Sequence, residues 1–256
     1  MLSKITKPEI IPDIQSDLFI GHENSHLTVG IIAIGDEITP GLENEFKGYA
    51  LLRGNVYARE KNYMPLSELN FDGTETDSDD SRSVHFVVIE NAVTSARVVG
   101  SMRLIIKTRQ GETPLPIEEH YPEAFPMGPA STLSTEVSRL ICRHENKAIQ
   151  SSLKWPLFTA GVTHVMQHNL GPVYGAVEPS LEEGLRAAGV PIIILGEPKF
   201  VPEWDATKLP LRIDMQGLTQ KIEDTQSSLF DAMQLAPKDF VYSGLMSDSS
   251  NRQGKG

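Results

Sequence analysis

Cysteine is nearly missing: Cys142 stands alone among 256 residues. That excludes an internal disulfide framework and any zinc site built on several thiolates. No long uninterrupted apolar run occurs, so no membrane span is expected. The opening stretch MLSKITKPEIIPDIQSDL has no signal-peptide core, which points to a cytoplasmic protein. Positive charge is short, with 23 Lys and Arg against 34 Asp and Glu, for a net charge of −11. Without a basic stripe, such a chain is a poor partner for nucleic acid or anionic membrane. An acidic protein partner would need a local basic patch. Internal repeats and low-complexity tracts are also missing. What is present is 39% apolar residues, enough for the core of one large domain with decorations.

The order of elements is mixed. HLTVGIIAIG (26–35) reads as a buried strand, rich in β-branched residues and stopped by glycine. In LENEFKGYALLRGNVYARE (42–60), Phe46, Tyr49, Leu52, Val56 and Tyr57 recur at helical spacing. Strands follow at 84–90, 97–107 and 135–142, the first two separated by a short polar link as in an antiparallel hairpin. A proline-rich connection, TPLPIEEHYPEAFPMGPA, reads as an ordered loop or lid. A helix is expected over about 148–168 with Pro156 near its first turns, then a strand at 172–178, a helix ending at Gly189 and a strand at 191–195. The expectation is an α/β domain with a mixed sheet, antiparallel in its first half, parallel in its second and flanked by helices. It would span 26–235, between an N-terminal extension (1–25) and a flexible tail (236–256).

Charges in unusual places carry the chemistry. The stretch ETDSDDSRSVHFVVIE sets Glu75, Asp77, Asp79 and Asp80 just before an apolar strand, where their repulsion must be offset by cations or used by a ligand. Arg53 lies in the first helix, Arg103 interrupts the apolar strand VGSMRLII, and Glu136 and Arg139 lie within TEVSRLIC. An unpaired buried ion costs several kcal/mol. Arginines and carboxylates at such positions are therefore expected to meet as one network. Glu136 and Arg139 have opposite parity, so they face different sides of a regular strand unless a bulge intervenes.

These residues carry a resemblance. The succession Arg53, E-x-D-x-x-D at 75–80, G-S-x-R at 100–103 and E-x-S-R at 136–139 resembles the acyl-homoserine-lactone synthases. PIEEHYP, EVSRL and AVEPSLEEGLRAAGVPIIILG look more like the longer N-acyl amino acid synthases and exosortase-associated acyltransferases. Both groups belong to the N-acetyltransferase-like (GNAT) superfamily, and the likeness covers roughly residues 42 to 200. It implies a GNAT-like fold and transfer of a fatty acyl group from acyl carrier protein to an amine. No cofactor would be bound; the carrier's phosphopantetheine thioester is the donor substrate, and partners would be that protein and a small-molecule amine. In such families the Glu136 position is proposed as general base. The positions of Arg53, Glu75, Asp77, Asp80, Arg103 and Arg139 order the amine side. The sheet splays between the fourth and fifth strands, here 135–142 and 172–178.

The residues make chemical sense of this. An α-amino group, with a pKa near ~8, is largely protonated at neutral pH and must lose a proton to attack a thioester. A mid-strand carboxylate such as Glu136 can be buried, its pKa raised toward the working range, and accept that proton. A substrate carboxylate would want an arginine, with Arg53 and Arg103 as candidates. Acetyl-CoA-dependent relatives place a glycine-rich anion cradle after the fourth strand; here that position reads CRHENKAIQSS, without glycine. A carrier arm presents one phosphodiester instead of a pyrophosphate, and Arg143 and Lys147 could contact it or the acidic carrier, with His144 nearby. Elsewhere plainer roles are expected. Asp79 would be solvated, Cys142 a small buried hydrophobe, His144 a surface residue and His164 a helix-face residue. Trp155 and Phe158 would pack core beside an acyl pocket, Tyr121 would cover the site, and no metal site is expected. Two other functions fit the same residues: a lactone synthase using S-adenosylmethionine, and a noncatalytic binder of acyl chains or metabolites.

Overall fold

The structure, a computed structural model, describes residues 16–22, 25–92, 95–108, 113–125, 133–225 and 241–243. Along the chain run β1 (Ser16–His22), β2 (Ser25–Ile34), β3 (Glu37–Ile38), α1 (Glu43–Gly54), β4 (Ser83–Ala92), β5 (Ser95–Lys107), α2 (Pro116–His120) and β6 (Ser134–Cys142). Then come α3 (Lys147–Ser152), α4 (Lys154–His168), β7 (Val173–Val177), α5 (Pro179–Ala187), β8 (Ile192–Ile194), β9 (Lys199–Val201), β10 (Ala206–Ile213), α6 (Met215–Thr225) and β11 (Val241–Ser243). One mixed sheet has the order β11-β1-β2-β4-β5-β6-β7-β10-β8, with β3 beside β2 and β9 beside β10. The sheet therefore reaches past both expected domain bounds, and the rest of the expected tail lies outside the described residues.

Alternation along β4 decides the two layers. Val84, Phe86 and Val88 point into the core shared with α4, while Val87 and Ile89 join Tyr49 and Ala50 of α1 on the opposite face. Arg103 and Ile105 follow the α1 parity on β5, so a charge placed there lands between sheet and helix. A single long helix at 148–168 does not form. Pro156 has no N–H to give to the carbonyl one turn earlier, and the helix breaks at Leu153 into α3 and α4.

The second half corrects the expected pairing. β6 and β7 are parallel, but β10 inserts between β7 and β8 and runs antiparallel to both. TKLPLRI lacks strict alternation and carries a proline, which hid this strand from the sequence pattern. The β6–β7 register covers only Thr135↔Val173 and Glu136↔Tyr174, after which the strands part. Gly171 pins that junction: its φ is +78°, and a Cβ there would lie 2.1 Å from the Leu133 carbonyl.

α1 passes at Gly54 into a π-helical turn, Asn55–Glu60. Helix propensity favours alanine over glycine by about 1 kcal/mol, yet a Cβ on Gly54 would lie 2.3 Å from the Gly73 carbonyl oxygen. Backbone cannot yield cheaply, so the steric term wins. Gly54→Ala is expected to destabilise the fold by roughly 1–3 kcal/mol, measured as a lower urea midpoint; an unchanged midpoint would show that the loop at Gly73 gives way.

Candidate active site

The carboxylates before β4 and the arginines from three elements do meet. Arg53 of α1 bonds Glu75 through Nε, and its Nη1 donates to Asp80 at 2.7 Å and to the Tyr49 hydroxyl at 2.8 Å. Arg103 of β5 donates from Nη1 to Asp77 at 2.5 Å and Asp80 at 2.6 Å, and from Nε to Ser138 at 3.0 Å. Arg139 of β6 donates from Nη2 to Asp77 at 2.7 Å and Glu75 at 3.0 Å. Three guanidiniums face three carboxylates, so the cluster is neutral while largely removed from water. Burial alone would raise the Asp77 and Asp80 pKa values, but the neighbouring arginines outweigh it and both carboxyls lie below their usual range.

Arg139 reaches this cluster because of a bulge. Between the pairs Ser101↔Ile141 and Arg103↔Ser138, β6 carries one extra residue, and Arg139 has φ +53°. Ser138 and Arg139 thus both face the α1 side, which the parity argument alone would not place them on. A left-handed non-glycine residue costs about 1–2 kcal/mol. Two ion pairs and the Tyr57 ring, 4.8 Å from the guanidinium carbon, offset it.

Within the cluster, exposure is uneven. The side chains of Arg53, Glu75 and Arg103 are at most 2% exposed, whereas Arg139 and Asp77 are 25% and 26% exposed. Arg53 and Arg103 are consumed by internal partners. The pair open to a solute is Arg139 with Asp77, a cation beside an anion. Asp79 is not solvated as expected: it is ion-paired with Arg82 at 2.5 Å, and Arg82 also donates to the Thr113 and Pro114 carbonyls.

Sequence reasoning missed the supports. Tyr49 precedes Arg53 by one helical turn, a spacing that was a usable signal. The His85 Nε2 lies 3.1 Å from the Asp80 carbonyl and therefore donates, which leaves Nδ1 to accept from Tyr49 at 2.8 Å. Burial lowers the His85 pKa to about 4, and it stays neutral.

Glu136 stands apart from the network. It shares the α1 face of β6 with Ser138, is 3% exposed, and its Oε2 accepts from the Ile117 N–H at 2.8 Å. Its Oε1 accepts no hydrogen bond from a described residue. Burial pushes its pKa up to about 8, against the opposing pull of the Ile117 N–H and of Arg103. The Ile117 donor comes from α2, a short helix within the proline-rich connection. Glu118 of α2 meets Lys107 of β5 in a fully buried pair at 2.8 Å and also accepts from the Leu115 N–H. Tyr121 is buried beneath this strap, its hydroxyl donating to the Lys208 carbonyl.

On the other face, a small apolar cleft of about 30 Å³, partly open to solvent, lies where β6 and β7 part. Val137, Trp155, Phe158, Leu181 and Leu211 line it, so Trp155 and Phe158 face a cavity as well as core. Cys142 is a buried hydrophobe whose thiol pKa burial pushes up to about 12. His144 is not a surface residue, since its ring packs against Glu90 at 3.1 Å, and His164 is buried in α4. Arg143 pairs with Glu60 at 2.6 Å, and Lys147 reaches Gln150 at 3.3 Å. Among the described residues no cluster of three metal-ligating side chains occurs, and no helix is long and apolar enough to cross a membrane.

The chain matches known proteins in part of its sequence and in its fold. Residues 52–153 match the acetyltransferase (GNAT) domain. Those residues resemble a GNAT domain. Among solved structures, the chain is similar to BjaI, a CoA-dependent acyl-homoserine lactone synthase crystallised with SAM and isopentyl-CoA. That likeness has TM-score 0.56 and 21% identity, over 75% of this chain and 83% of that one. The acyl-homoserine lactone synthase LasI matches at TM-score 0.54 and 18% identity, over 75% and 91% of the two chains. FeeM, an N-acyl amino acid synthase from uncultured soil microbes, matches at TM-score 0.48 and 12% identity, over 80% and 99%. Likeness at such identities speaks to the fold. No curated protein matches the chain by sequence.

Two outcomes check this site. Arg103→Glu leaves Asp77 and Asp80 facing a third carboxylate, so it is expected to lower stability by several kcal/mol; normal thermal stability would mean the network does not carry the fold. Glu136 has its pKa raised on folding, so its favourable contribution is complete below pH ~4.5 and is lost as pH rises through about 8. Glu136→Gln is therefore expected to gain stability over the native chain above pH 8 and to lose that advantage in acid, read from denaturant midpoints across pH.

Proposed function

We propose that this protein transfers a fatty acyl group from acyl carrier protein to the amine of an amino acid or a related metabolite. The observation that carries the reading is the placement of Glu136. It is buried at the mouth of the β6–β7 splay, with the charged cluster on its own face of β6 and the apolar cleft behind its neighbour Val137. Amine and acyl chain would thus approach one carboxylate from opposite sides of a strand.

In the proposed reaction the amine nitrogen attacks the thioester carbonyl carbon, and its proton passes to Glu136 Oε1, the oxygen left free by Ile117. The carbon–sulfur bond then breaks, and the departing thiolate takes the proton back. A base with a pKa near 8 is matched to an α-amine of similar pKa, so neither transfer is steeply uphill. Asp77 would receive the ammonium form and Arg139 the carboxylate of a zwitterionic acceptor. Arg53 and Arg103 would hold those two in place instead of touching substrate.

Support for a carrier-protein donor comes from the β6–α3 connection. The Asn146 side chain accepts from the Ala148 and Ile149 N–H groups, the donors a pyrophosphate would otherwise use. The test is incubation with acyl carrier proteins of mixed chain length, matched acyl-CoA donors, amino acids and S-adenosylmethionine, with products read by mass spectrometry. An N-acyl amino acid formed faster from the carrier protein is expected. A lactone with release of methylthioadenosine would replace the amino acid reading, and bound but unconsumed donors would favour the noncatalytic binder.

Two substitutions refine the test. Glu136→Gln is expected to lower kcat by roughly 10²–10⁴-fold and to remove the alkaline dependence on the ~8 group; unchanged turnover would sink the base assignment. Gly175 lines the cleft and has room for a Cβ, with Val177 the nearest atom at 3.7 Å. Gly175→Leu should shift products to shorter acyl chains while leaving the amine unchanged.

A further inference from the structure

Lys154, the first residue of α4, is the charged side chain among the residues lining the apolar cleft. Among the described residues it has no carboxylate partner; its ammonium lies 4.8 Å from the centre of the Trp155 ring. A leucine here would bury more apolar surface at no electrostatic cost, so packing does not call for a lysine. The opposite wall leaves it space, because α5 carries Gly184, where even a Cβ would stay 3.8 Å from the Lys154 nitrogen. The charge also acts on the Cys142 thiol, which places Lys154 near the far end of β6 from Glu136.

Length then selects the ligand. Glu136 and Cys142 are six residues apart, one of them absorbed by the bulge, so about 16 Å of strand separates them at ~3.3 Å per residue. An extended pantetheine arm carries about thirteen bonds from phosphorus to sulfur, about 15 Å on the repeat of an amide backbone. With the thioester at Glu136, the phosphate of such an arm falls at the Lys154 end of the cleft. The other cations near this end are already engaged: Arg143 by Glu60, Lys147 by Gln150.

We propose that Lys154 is the binding residue for the phosphate ester of a phosphopantetheine-bearing acyl donor, replacing the backbone cradle that Asn146 closes. The proposal rests on the acyl-transfer reading above, and binding can be measured without turnover. The probe is Trp155 fluorescence in a Trp204→Phe background, titrated with 4′-phosphopantetheine and with pantetheine, which lacks the phosphate. The expected result is about tenfold tighter binding of the phosphorylated arm, abolished in Lys154→Gln and restored in Lys154→Arg. Equal affinities in the native chain, or tenfold discrimination persisting in Lys154→Gln, would overturn it. Holo- and apo-carrier proteins and CoA, titrated in parallel, distinguish the source of the phosphate. A loss on Lys154→Gln confined to holo-carrier protein, or shared by holo-carrier protein and CoA, supports the residue's role, and a loss with neither overturns it. If discrimination is found but no acylated amine forms in the product assay, the acyl-transfer reading fails while the phosphate site stands.

Discussion

Neutralisation of Glu75, Asp77 and Asp80 by Arg53, Arg103 and Arg139 is the constraint on which the remaining geometry depends. Six ions are held together by a helix, a loop and two strands, and removing any one leaves an uncompensated charge in a poorly solvated place. That requirement brings α1 down onto β5 and fixes the loop before β4. It also makes the left-handed Arg139 tolerable, because its pairs with Glu75 and Asp77 offset the strain. The least buried corner of this structural cluster, Arg139 beside Asp77, presents a cation and an anion side by side.

Glu136 obeys the opposite logic. Its surroundings include no direct cation, so burial dominates and the carboxyl titrates near neutrality. Asp77 in the loop before β4 and Glu136 on β6 thus live in environments that push their pKa values apart. Such divergence lets one fold hold both a permanent anion and a carboxyl able to exchange a proton. The strap that covers Glu136 is anchored by the Lys107–Glu118 pair, so the basicity of the carboxyl depends on a tertiary contact and not on its own strand.

Much of this was readable in the residues. Arg103 and Glu136 announce themselves because strand interiors exclude unpaired charge, and their partners follow from the need to offset it. The strands containing them were legible from β-branched runs. The bulge at Arg139 was not, since one extra residue leaves no compositional trace. The Ile117 donor was invisible because a backbone N–H has no sequence signature. β10 was missed because Pro210 and the weak alternation of its residues hide a strand whose burial is decided by neighbours brought from elsewhere in the chain.

The insertion of β10 has a consequence for inheritance of specificity. Every arginine and carboxylate of the charged cluster lies within residues 52–153, the span that matches the GNAT domain. Trp155, Leu181, Leu211 and Ile213, which shape the cleft, all lie after it. Apart from Val137 and Leu140, the ion cluster and the cleft wall named here are therefore encoded in separate stretches of polypeptide. Substitutions in the later stretch can reshape the cleft without disturbing the ions.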